Sequence, residues 1–163
     1  MRRRHAVTPV LAVLAACLVP ATASAGENPA FRDYQAFLAA NPLGIMTTVE
    51  DGRPRTRAFQ FLWVDNGRVY FSTGAGKDVA KQMRANPNVS FCTRNPEFNV
   101  VLSVDGKVSF SSDAGLKKRA LDEYPALKDI YKSADNPEFT LIFIEPDQIY
   151  TFSFVAGKQY IKK

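Results

Sequence analysis

Two turn signals, Glu50-Asp51-Gly52 and Asp65-Asn66-Gly67, divide residues 44–73 into three short segments rich in β-branched and aromatic side chains. Asp-Gly and Asn-Gly accept the positive φ angles that a tight hairpin demands, so such dipeptides between strand-like segments fold the chain back on itself. Gly44–Val49, Thr56–Val64 and Arg68–Thr73 are therefore expected to form an antiparallel meander.

The flanking pattern is consistent with that start. Phe31, Tyr34, Phe37 and Leu38 recur at helical spacing and Asn41-Pro42 stops the run, which predicts an amphipathic opening helix. Lys77–Ala85 reads as a second helix with Val79, Gln82 and Met83 on one side, closed by Asn86-Pro87. Val89–Thr93 reads as a strand, Asn99–Ser111 continues the sheet around Asp105-Gly106, and Leu116–Tyr131 reads as two short helices split by Pro125. Phe139–Ile144 and Gln148–Val155 are expected to pair as a final hairpin. Many short strands with few helices give an α+β chain whose sheet closes, or half closes, into a small barrel without exposed edges. No repeat or composition shift divides residues 26–163, which are expected to form one domain.

Residues 1–25 differ in kind. Arg2-Arg3-Arg4, the mostly apolar run Ala6–Val19, Pro20 and Ala23-Ser24-Ala25 reproduce the three zones of a bacterial export signal, which implies a periplasmic protein cleaved after Ala25. Leu14-Ala15-Ala16-Cys17 also resembles a lipobox, in which Cys17 would be acylated and anchor the chain to lipid. Pro9, Pro20 and the shortness of the run speak against a permanent membrane span. Of the +5 formal charge, three units belong to Arg2, Arg3 and Arg4, leaving +2 for the rest, too little to suggest nucleic-acid binding.

Removal of the leader takes away the sole histidine, His5, and leaves Cys92 as the only thiol. No internal disulfide can form, and Cys92, inside an apolar strand, reads as a small buried hydrophobe. Without imidazole there is no Ser-His-Asp arrangement and no histidine-ligated metal, so no catalytic side chain and no metal site is nominated. Redox chemistry would have to come from a bound cofactor.

The residues best suited to hold one lie between Arg55 and Lys77. On the strand Arg55-Thr56-Arg57-Ala58-Phe59-Gln60-Phe61, alternation puts Arg55, Arg57, Phe59 and Phe61 on one side, two cations beside two rings. Phe71-Ser72-Thr73-Gly74-Ala75-Gly76-Lys77 then offers hydroxyls, a turn with free backbone N–H groups and a helix start, features that suit a phosphate. A lysine where a helix favours acids is misplaced unless an anion visits. The competing readings are a solvated edge strand whose arginine stems cover apolar surface and a Lys77 that merely reaches Asp78 or water. Trp63 and Tyr70 are assigned to a buried or interface surface of the sheet, and Lys117-Lys118-Arg119 to a solvated helix face.

Three segments, FLAANPLGIMTTVEDGRPRTRAFQF, GRVYFSTGAGKDVAKQMRANPNVSF and LKDIYKSADNPEF, resemble the pyridoxamine 5'-phosphate oxidase-like family of FMN-binding split barrels, in particular its short single-domain bacterial members. The resemblance spans about Tyr34 to Phe154. It implies a six-stranded antiparallel split barrel with flanking short helices, and a homodimer that binds two FMN molecules at its interface. By position it places Arg57 on the FMN phosphate, the backbone of Ala58, Phe59 and Gln60 against the flavin, and Ser72 and Thr73 near the phosphate, and Arg55, on the same strand side as Arg57, is added to the cofactor-binding set from alternation. Lys77 or Lys81 would complete the phosphate site. The family's flavin-contacting glutamine has no clear counterpart near Asn99 and Val101, and the chain closes with Phe152-Ser153-Phe154-Val155-Ala156-Gly157 instead of the Arg-containing motif of the true oxidases. The implied function is therefore a flavin-dependent oxidoreductase acting on a substrate other than vitamin B6. The alternative is a non-catalytic electron carrier or ligand-binding barrel holding flavin or haem, which the absence of histidine disfavours for haem.

Overall fold

A computed structural model describes residues 29–163, so the leader, with Cys17 and the cleavage position after Ala25, lies outside the described residues. The chain runs α1 (Pro29–Ala40), β1 (Leu43–Glu50), β2 (Arg53–Asp65), β3 (Arg68–Gly74), α2 (Asp78–Ala85), β4 (Asn88–Arg94), β5 (Val100–Ser111), α3 (Ala114–Glu123), α4 (Pro125–Tyr131), β6 (Phe139–Ser153) and β7 (Gly157–Lys162). Among the described residues no helix is long and apolar enough to cross a membrane.

All strand pairs are antiparallel, in the order β3-β2-β1-β4-β5-β6-β7, and β3 also pairs with β6. Six strands thus close a barrel and β7 extends the sheet beyond it. The closure is local: Val69–Gly74 of β3 occupy Phe139–Ile144 of β6, while Ile149–Ser153 of the same strand take β7 instead. Asp51 and Asn66 adopt positive φ, as do Gly52 and Gly67, which is the backbone that both turn dipeptides were chosen for.

Alternation fills the interior. Met46, Phe59, Phe61, Phe71, Phe91, Leu102, Val104, Ile142, Ile144 and Ile149 point inward with Tyr34 and Leu38 of α1 and Val79 and Met83 of α2. Burial pushes the Tyr34 phenol up to about 12. A second apolar cluster lies between the outer face of β2, β3 and β6 and the pair α3 and α4, around Trp63, Tyr70, Leu121, Tyr131 and Phe139. Trp63 stacks on Tyr70 with centroids 5.3 Å apart, and Arg119 covers its ring at 4.4 Å. Lys118 and Arg119 pair with Asp122 and Glu123 one turn on, the arrangement of a solvated helix face.

Two expectations are corrected. Phe139–Ile144 and Gln148–Val155 do not form a hairpin: Phe139–Ser153 is one strand, paired along its length with β5, and the final hairpin is made by β6 and β7. Glu145-Pro146-Asp147 imitates a turn in sequence, but the ladder steps from Asp105↔Gln148 to Gly106↔Pro146, so the extra residue is absorbed as a bulge, where proline's missing N–H is tolerated. Gly106 belongs to that bulge: a Cβ there would run into the Glu145 carbonyl oxygen and the Ile144 side chain. Cys92, expected in the core, faces outward on β4 and is half-buried.

Candidate functional site

Strand β2 carries its pattern change at Arg57. Residues beyond it on the inward side, Phe59 and Phe61, are buried and pack edge-on against Phe71 at 6.2 and 6.3 Å, so both rings serve the core, and of the two Phe59 also borders the cleft. Arg57 stands at the mouth, opposite Met46 of β1. Its guanidinium reaches Thr48 and Gln82: Nη1 donates to Thr48 Oγ1 at 2.9 Å and Nη2 donates to Gln82 Oε1 at 2.8 Å.

Thr48 Oγ1 donates in turn to Gln82 Oε1 at 2.7 Å, and Gln82 Nε2 donates to Glu50 Oε1 at 3.0 Å. Glu50 Oε2 accepts from Arg55 Nε at 2.9 Å. Thr48 and Gln82 are 0% and 7% exposed, so the heart of this network is shielded from water. Burial lowers the Arg57 pKa from its ordinary value, with Glu50 acting in the opposite direction, although a guanidinium stays charged throughout the accessible range. The Gln82 hydrogen bond, then Arg55, holds the Glu50 carboxyl below its usual range.

One cleft of about 360 Å³ is bounded by Arg57, Ala58, Phe59, Gln60, Ser72, Thr73 and Lys77 on one side and by Val79, Leu127, Ile130 and Tyr131 on the other. Seven of the eight residues singled out in the sequence are thereby brought together. Arg55 is the exception: it is exposed and engaged with Glu50. Lys77 caps α2 from an extended backbone, makes no side-chain capping bond, and has no ion pair or hydrogen bond from its ammonium among the described residues. Asp78 is taken by Lys81 at 3.0 Å, and Lys81 lines a separate hollow with Glu50 and Asp78. Between the two lysines, the cleft contains Lys77.

The turn after β3 is not the open cradle its glycines suggest. Ala75 N donates to Glu138 O at 2.8 Å, Gly76 N to Glu138 Oε2 at 3.2 Å and Lys77 N to Gly74 O at 3.2 Å. Those N–H groups are spent on the protein, with a carboxylate already among their partners. Anion binding at this cleft falls to side chains: the guanidinium, the two hydroxyls and the ammonium.

Sequence reasoning did not reach Thr48 or Gln82 as site residues, nor the wall from α4. Gln82 had a signal: it is a polar residue on the apolar side of the α2 pattern, where a buried amide must find partners. The α4 wall had none, since Leu127, Ile130 and Tyr131 meet β2 and β3 only through the tertiary fold. Burial raises the Tyr131 phenol from its ordinary value, and its ring stacks on Phe139 with centroids 4.7 Å apart.

A second, almost entirely apolar groove of about 390 Å³ lies on the outer face of β2, β1, β4 and β5, lined by Leu43, Ile45, Ala58, Cys92, Phe98 and Val101 among others. Leu43, Ile45 and Phe98 are 71%, 47% and 60% exposed. Ala58 borders both this groove and the polar cleft.

Several solved structures share this architecture. A NimC/NimA family protein from Clostridium acetobutylicum is 25% identical with a TM-score of 0.71, the match covering 79% of this chain and 91% of that one. A pyridoxamine 5'-phosphate oxidase-related, FMN binding protein from Nostoc punctiforme is 17% identical with a TM-score of 0.59, covering 83% and 90%. A heme binding protein from Mycobacterium smegmatis is 14% identical with a TM-score of 0.66, covering 83% of this chain and 58% of that one. The search of curated proteins found no match. The pyridoxamine 5'-phosphate oxidase family model matches residues 31–153, from α1 to the last barrel strand, and the chain belongs to that family.

Proposed function

We propose that the protein is an FMN-binding flavoprotein, working as a flavin-dependent oxidoreductase on a substrate other than a vitamin B6 phosphate. The observation that carries this reading is the convergence of Arg57, Ser72, Thr73 and Lys77 on one cleft whose opposite wall is apolar. That donor set fits a phosphate monoester attached to a largely hydrophobic body. Arg57 and Lys77 supply the charge, Ser72 and Thr73 the hydroxyl donors, and the strand from Ala58 to Gln60 the edge against which the ligand's ring system lies. A bound flavin supplies hydride or electron transfer at its own ring. The chain's part is to hold, orient and shield.

The outer apolar groove supports a homodimer. Monomeric proteins rarely leave contiguous apolar patches of this kind in water, and Ala58 links the groove to the cleft, so a second copy packed there would border the cofactor. The leader extends the proposal to export, with Cys17 acylation as the lipid-anchored variant; the mass of the mature N-terminus from native cells distinguishes cleavage after Ala25 from acylation at Cys17.

A second reading is a carrier or ligand-binding barrel without turnover, favoured by the shared fold of the M. smegmatis heme binding protein. The deciding experiment is the absorbance spectrum of protein isolated from its native cells, followed by titration with FMN, riboflavin and haemin. Quenching of FMN fluorescence at micromolar concentration and turnover with electron acceptors are expected. A colourless protein that leaves FMN fluorescence unchanged would overturn the flavin reading, and stoichiometric reduction without turnover would make it a carrier.

A further inference from the structure

We infer that Gln82 is a specificity-determining residue of the cleft: it holds Arg57 through a neutral acceptor and so reserves the guanidinium's charge for a phosphate monoester. The inference rests on the flavin phosphate reading above and deepens it.

A structural arginine at a barrel mouth is ordinarily matched by a carboxylate. Here both atoms that grip Arg57, Thr48 Oγ1 and Gln82 Oε1, are uncharged. The nearest carboxylate of the network, Glu50, is one residue further back, bonded to the amide nitrogen of Gln82 and to Arg55. Glu50 therefore pairs with Arg55, and Arg57 is anchored but left without a counter-ion in the network. Of the five N–H donors of a guanidinium, two are used by these contacts, which leaves three for a ligand in the cleft that Arg57 lines.

The amide cannot turn over. Oε1 accepts from Thr48 and Arg57 while Nε2 donates to Glu50; a flipped amide would set N–H against N–H and carbonyl oxygen against carboxylate. Thr48 relays the same sense, accepting from Arg57 and donating to Gln82. Every proton in the network points away from the guanidinium, which is held in place by Gln82 of α2 and Thr48 of β1. A glutamate at position 82 would fill the same space and give Arg57 a counter-ion, while its second oxygen would face Glu50 where Nε2 now donates, so Glu50→Gln must accompany it to restore that hydrogen bond.

The test compares FMN with riboflavin, which lacks the phosphate, by fluorescence titration of the full chain and of Gln82→Glu, Gln82→Leu and Arg57→Ala, alone and combined. The unmodified protein is expected to prefer FMN. Made together with Glu50→Gln, which keeps a donor opposite the new carboxylate, Gln82→Glu is expected to reduce that preference at least about tenfold against the Glu50→Gln background while riboflavin affinity stays within about twofold, because the change falls on the charge offered to the phosphate. With Arg57→Ala already present, Gln82→Glu is expected to add nothing. Should Gln82→Glu fail to fold, Gln82→Leu takes its place, with a smaller loss of the same preference as Arg57 comes loose. An unchanged preference, or an equal loss for both ligands, overturns the role assigned to Gln82. Absence of any FMN preference in the unmodified protein instead overturns the phosphate reading on which it stands.

Discussion

The aliphatic stem of Lys77 lies over Gly74: a Cβ built on that glycine would meet Lys77 Cγ and Cε at 3.2 Å. The last residue of β3 thus shapes the path by which the ammonium reaches the cleft. Gly74→Val should push the lysine aside and weaken FMN binding several-fold through lost charge placement. Titration of that variant beside Lys77→Ala checks the mechanism, since the two effects should not add.

Arg55 and Arg57 are two residues apart and point the same way, yet they have different employment. Arg55 is bound to Glu50 at the surface, outside the cleft. Arg55→Ala should leave FMN affinity within about threefold and shift the melting temperature by no more than about 2 °C, as expected for an exposed ion pair. Arg57→Ala should cost FMN affinity tenfold or more, roughly the worth of a charge-assisted contact.

On the outer face, Ile45→Glu places a charge in the middle of the apolar groove. If copies of the chain meet there, the variant should sediment as a monomer and lose FMN together with the partner surface that borders it. Sedimentation velocity measured beside flavin content checks both.

Glu50 gives the stability a defined pH dependence. Its carboxyl is held below the ordinary range by Gln82 first and Arg55 second, so the folded state prefers it ionised. The contribution is complete above the unfolded-state value of about 4.3 and is lost as pH falls through the depressed folded value. Glu50→Gln should therefore lower the melting temperature at neutrality, where the wild-type contribution is complete, and flatten its decline on acidification below about pH 4.3.

Gly106 tests the bulge. Any side chain there must displace the Glu145 carbonyl or Ile144, so Gly106→Ala should destabilise by about 1–3 kcal/mol through overpacking. Chemical denaturation measures it, and FMN affinity per folded molecule should stay unchanged.

Most of the barrel was readable because its signals are local. Asp51-Gly52 and Asn66-Gly67 announce their turns, and Pro125 marks the break between α3 and α4. Where local chemistry and long-range pairing disagree, reading fails: Pro146-Asp147 looks like a reversal, but unbroken pairing with β5 carries the strand straight through it. For the same reason Gly157–Lys162, a short basic tail in sequence, becomes β7 only because β6 offers it an edge. Arg57, Ser72, Thr73 and Lys77 were legible from alternation on β2, from the hydroxyl pair ending β3 and from the misplaced lysine, while the strand backbone from Ala58 to Gln60 was placed at the cleft by the family resemblance. The engagement of the turn N–H groups by Glu138 was not, since that residue arrives from sixty-two positions away. Nor was the division of labour between the arginines, which depends on which acceptor each one reaches.

Among the described residues, strand β7 pairs with a strand on one side only. Its far margin is an unfinished ladder, the kind of border along which chains can stack without limit, and Lys158, Lys162 and Lys163 set three like charges in or just past the strand: Lys158 over the Tyr150 and Tyr160 rings, Lys163 over Tyr160, and Lys162 donating to the Pro146 carbonyl. A further strand approaching from that direction meets those cations, whereas the plane around Ile45 is lined almost wholly by apolar side chains, with Arg94 over the Phe98 ring as its one cation. Open-ended stacking at β7 would therefore carry a charge cost that a finite contact across the apolar face would not.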